Sequence, residues 1–104
     1  MRQWQESKKR LNEEVKRTAN LLLNRCGLAQ AGVELPRKLK PGLGAKNNFI
    51  GALQMVNEQV DKRFGKGRKR SEWTVEEFAV GMRGLEGILN DLTREIKKLQ
   101  DVTK

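Results

Sequence analysis

The chain has 104 residues, is 37% hydrophobic and carries 22 basic against 13 acidic side chains, a net charge of +9. Such a length fits one domain with one modest core, and no apolar run reaches the roughly 18 residues of a membrane span. No histidine is present, which removes the usual general base and the commonest metal ligand.

The remaining chemistry is equally sparse. Cys26 is the only cysteine, so no internal disulfide forms and a reducing, intracellular setting is expected: the nucleus in a eukaryote, the cytoplasm in a bacterium. The first residues, MRQWQESKKR, lack the apolar stretch of a signal peptide. Glu13–Glu14 and Glu76–Glu77 are sequence neighbours, so on a helix each pair diverges by about 100°. GLGAKNN at Gly42–Asn48 falls short of a phosphate-binding loop and follows no strand. The expectation is a non-enzymatic chain with no catalytic residue, metal, cofactor or small-molecule substrate.

The positive charge is unevenly placed. The net charge is +4 over residues 1–26, +3 over 27–46, zero over 47–64, +3 over 65–74 and −1 over 75–104. The first segment and the two connections therefore hold it, which points to an acidic partner.

In chain order, the first predicted helix covers residues 3–26. Trp4, Leu11, Val15, Leu22 and Cys26 recur on one face. Glu6–Arg10 and Glu13–Arg17 have the spacing of favourable ion pairs, and Gly27 is placed to end the helix in a left-handed cap. Residues 27–46 form a long connection, because Pro36, Pro41, Gly42 and Gly44 forbid a continuous helix. Its Leu28, Val33, Leu35, Leu39 and Leu43 predict packing against the domain, with a short helical turn near 28–33. Arg37, Lys38, Lys40 and Lys46 make it a second basic region, read as a solvated end near Lys97 and Lys98.

The second helix is predicted over 47–64, with Asn47 or Asn48 as cap. Phe49, Leu53, Val56, Val60 and Phe64, broadened by Ile50, form its apolar face, and Gly65 ends it. The third helix is predicted over 75–100. Phe78, Met82, Leu85, Leu89, Leu92, Ile96 and Leu99 alternate four and three apart, a strict heptad seam. Gly81, Gly84 and Gly87 interrupt it, each costing about 1 kcal/mol against alanine. Either another backbone approaches closely there or the helix bends. The fold class is thus all-α: a single domain built as a three-helix up-down-up bundle with a long first connection.

Two features stand between the second and third helices. Thr74-Val-Glu-Glu77 fits a capping box, and Trp73 with Phe78 fits the accompanying hydrophobic staple. Just before them, Lys62, Arg63, Lys66, Arg68, Lys69 and Arg70 crowd a run with no acidic residue and two flexible glycines. In an up-down-up bundle this connection lies beside the start of the first helix, so Lys8, Lys9 and Arg10 join it in one cationic cap. The leading expectation is sequence-independent binding of nucleic acid through backbone phosphates. With the two tryptophans committed to core or staple, no aromatic stacking platform is expected. The alternative is a protein-interaction module. There Met82, Leu85, Leu89, Leu92 and Ile96 dock a helical partner or a second copy, and the basic cap faces an acidic protein surface.

Overall fold

The computed structural model describes residues 2–28 and 48–102. Three helices pack together: α1 (Arg2–Arg25), α2 (Asn48–Val60) and α3 (Val75–Val102). Among the described residues there is no strand. The expected turn near 28–33 and the apolar residues from Val33 to Leu43 lie outside the described residues, as do Arg37, Lys38, Lys40, Lys46 and the candidate cap Asn47.

α1 buries Leu11, Val15, Ala19 and Leu22 completely or nearly so, with Thr18 folded back to donate from Oγ1 to the Glu14 carbonyl at 2.7 Å. It ends as its sequence requires. Gly27 takes a left-handed φ of 68°, Leu28 N–H donates to the Leu23 carbonyl at 2.8 Å, and Gly27 N–H donates to that of Asn24. This is a Schellman cap, and its two flanking leucines, Leu23 and Leu28, are both buried. The expected ion pairs differ. Arg17 pairs with Glu14 at 2.8 Å instead of Glu13, and Glu6–Arg10 is not among the ion pairs of the described residues. A pair three apart satisfies Arg17 as well as one four apart.

α2 packs against both other helices, and this broadens its buried face. Ala52, Val56 and Val60 are fully buried and Met55 nearly so, whereas the expected Phe49, Leu53 and Phe64 lie at its edge, partly buried. Asn48, the first helical residue, donates its side-chain amide to the Leu28 carbonyl at 3.1 Å. That bond ties the start of α2 to the end of α1.

Beyond Val60 the chain departs from expectation. Asp61–Gly65 forms a π-helical turn, and Lys66, not Gly65, adopts the left-handed conformation with φ 50°. The π turn runs through Gly65, so the left-handed C-cap falls on the next residue, Lys66. A Cβ on Gly65 would lie 3.0 Å from Cζ2 of Trp73, and the glycine is used for that close approach.

α3 runs α-helically through all three glycines. At Gly81 and Gly84 it is side chains, not a backbone, that approach. A Cβ on Gly81 would meet Leu11 at 3.5 Å, and one on Gly84 would clash with the Phe64 ring, while one on Gly87 would have nothing within 4 Å among the described residues. The seam is buried in this chain's own core: Phe78 and Ile96 completely, Leu85, Leu89 and Leu92 almost so, with Ile88 widening it and Met82 partly buried.

The start of α3 matches its sequence signature. Glu77 N–H donates to Thr74 Oγ1 at 3.2 Å, and Thr74 N–H donates to Glu77 Oε1 at 3.0 Å, a reciprocal capping box. The Trp73 and Phe78 rings pack with centroids 5.4 Å apart.

Candidate nucleic-acid interface

The start of α1 and the connection before α3 meet at an aromatic junction. Trp4 Nε1–H donates to the Trp73 carbonyl at 2.6 Å, and the Trp4 ring stands edge-on to Phe78 at 5.6 Å. Cations flank both tryptophans. Lys8 Nζ lies 5.5 Å from the Trp4 ring centre, and the Arg70 guanidinium lies 5.3 Å from that of Trp73. Trp73 is 98% buried by its 2% exposure, and its own indole N–H has no partner among the described residues.

The six cations of the connection divide by type. Arg70 is the most enclosed, its side chain 18% exposed: Nε donates to Asp61 Oδ1 at 2.9 Å and Nη2 to Asn57 Oδ1 at 2.9 Å. Arg68 pairs with Glu77, the same carboxylate that closes the capping box. Arg63 reaches Asp91 on α3 at 2.7 Å and Gln59 at 3.3 Å. Lys62 makes only a long contact with Glu58, 3.6 Å, with both side chains more than half exposed. Lys66 and Lys69 are exposed and have no carboxylate partner among the described residues.

Carboxylates from α2, its π turn and α3 thus meet a run that contains none. One pair, Glu58–Lys62, was visible as a four-residue spacing. Asp61–Arg70 and Arg63–Asp91 were not, because they depend on how the chain folds back.

The other three expected cap residues share one helix turn and therefore spread out. Successive residues of α1 point about 100° apart. Lys8 lies against the aromatic junction, and Lys9 and Arg10 are exposed on its two flanks.

The expected partner-docking residues Leu85, Leu89, Leu92 and Ile96 are occupied in the core. Met82 and Leu89 line a cleft of about 420 Å³ between α1 and α3, with Leu21 and the mixed charges of Arg17, Arg83 and Glu86. Cys26 is buried at the end of α1, and burial pushes its thiol above the ordinary value against the opposing pull of Lys97 and Arg25. That environment disfavours the reactive thiolate. Among the described residues, no cluster of carboxylate and cysteine side chains is arranged to hold a metal ion, and no helix is long and apolar enough to cross a membrane. Comparisons with protein-family models, with curated proteins and with solved structures returned no match.

Proposed function

We propose that this chain is a non-enzymatic module that binds nucleic acid, mainly through backbone phosphates, from one end of an up-down-up bundle. The observation that carries this reading is the aromatic junction. The Trp4–Trp73 hydrogen bond at 2.6 Å joins the basic start of α1 to the basic connection, two segments nearly seventy positions apart. On those two segments Lys9, Arg10, Lys66 and Lys69 are exposed, with Lys62 loosely held. The arginines of the connection do the building. Arg70 and Arg68 clamp the loop to α2 and α3 and hold the lysines out.

About five phosphate contacts from those side chains predict a slope of roughly −3.5 to −4.5 in log K against log salt. Titration of a fluorescent duplex at several salt concentrations measures it. Changing Lys62, Lys66 and Lys69 together to serine should reduce the magnitude of the slope by about 2 to 3 and leave helicity intact. A slope unchanged by this triple variant removes the cap from the reading. The assembly alternative has less to support it, since its docking leucines are spent on the chain's own core.

A further inference from the structure

α1 carries a second pattern, on the flank that faces solvent. Arg2, Gln5, Lys9, Asn12, Lys16 and Asn20 follow one another at spacings of three and four, and all six are exposed. At about 100° per residue they fall within an arc of about 80°. Cations recur every seventh position, at 2, 9 and 16, with amides at 5, 12 and 20. No carboxylate lies in the stripe, and among the described residues none of the six side chains has an ion-pair or hydrogen-bond partner.

Phosphate attraction alone needs only cations. The amides add something different, since each pairs a donor with an acceptor, the pattern that matches adenine N6 and N7, while Lys and Arg match guanine O6 and N7. An α-helix is about 10–12 Å across with its side chains, and the major groove of B-form DNA is about 12 Å wide. In A-form RNA that groove is too deep and narrow for side chains to read.

We infer that the exposed flank of α1 enters the major groove of duplex DNA and reads sequence. Gln5 and Asn12 face base edges about two turns apart, while Lys9, Lys16 and, at the two ends, Arg2 and Asn20 reach the phosphates. Glu6 and Glu13 border the stripe on its solvent side and meet the groove wall, where repulsion from the phosphates weakens binding to every sequence alike and leaves the base contacts to decide affinity. This inference rests on the nucleic-acid reading above and changes its character from backbone-only to sequence-selective.

The test is selection of the full chain on a randomised duplex DNA library, followed by anisotropy titration of enriched and random duplexes at one salt concentration. The enriched duplex should bind about 10³-fold more tightly or better. Q5A and N12A should each cut that preference about 5- to 150-fold and leave the salt slope unchanged. K9S and K16S should each lower the slope magnitude by about one. E6Q/E13Q should tighten binding to random duplex. These six positions are exposed, so circular dichroism should report unaltered helicity in every variant. If the protein binds but enriches no sequence, or Q5A and N12A leave affinity for the enriched duplex unchanged, the inference is overturned and phosphate binding stands. If it binds no duplex at all, both readings fall.

Discussion

The connection between α2 and α3 and the outer flank of α1 are both basic, yet they use their charge in opposite ways. In the connection, Arg63, Arg68 and Arg70 are met by Asp91, Glu77 and Asp61. On α1, Lys9 and Lys16 stand exposed with no such partner among the described residues. The difference follows from geometry. A loop that folds back against two helices brings carboxylates from both within reach, whereas a straight helix keeps each face to itself. Residue type contributes as well. The planar guanidinium forks suit fixed, multi-point pairing, while lysine ammoniums on flexible stems remain hydrated. A count of positive residues therefore overstates the charge available to a ligand in the connection and represents it fairly on α1.

The sharpest way to break this contrast is Arg70→Ser. Its guanidinium bridges Asp61, Asn57 and the Trp73 ring and is largely enclosed. Losing a charge-assisted network of this kind costs about 2 kcal/mol, and the loss should appear in urea unfolding as a lower midpoint at unchanged slope. An unaltered midpoint would mean that the arginine is as free as the lysines beside it. Thr74→Ala comes next. It removes the oxygen that accepts the Glu77 N–H and loosens the carboxylate that Arg68 holds, for about 1 kcal/mol. Gly87→Ala should act in the opposite direction. Among the described residues nothing lies within 4 Å of the added methyl, so the helix gains about 1 kcal/mol from propensity alone. Gly65→Ala, the matching change in the connection, should destabilise, because its methyl would press on Trp73. The two alanine variants, measured side by side by thermal unfolding, separate a tightly packed region from an open one.

Much of this is legible in the sequence. The capping box at Thr74–Glu77, the staple of Trp73 on Phe78 and the left-handed Gly27 are local rules, fixed by residues within five positions of each other. The heptad seam located the buried face of α3. Three things were not legible. The burial of Ala52 and Met55 ahead of Phe49 and Leu53 depends on α2 having neighbours on two sides. The left-handed Lys66 depends on the π turn that carries the helix through Gly65. The pairing of the connection's arginines depends on carboxylates up to 28 positions away. In the candidate site, the run 62–70 was visible as charge, but its division into anchored arginines and exposed lysines required the tertiary structure. The divergence of Lys8, Lys9 and Arg10 was readable from helical periodicity alone, and grouping them by sequence proximity obscured it.

The smallest expected effect is also the most discriminating. Lys9→Ser and Lys16→Ser remove exposed side chains that make no ion pair among the described residues, so each should change stability by no more than about 0.5 kcal/mol. If that charge serves a ligand, its loss is read in binding and not in unfolding. If either variant instead lowered the urea midpoint as Arg70→Ser does, that lysine would be satisfying a group on its own chain, and the flank of α1 would belong with the connection. A null result in unfolding together with a weaker salt dependence in DNA titration would place these lysines at a ligand. The pair of measurements on each lysine thus assigns its charge to one purpose, and only the second assignment leaves α1 free to meet a groove.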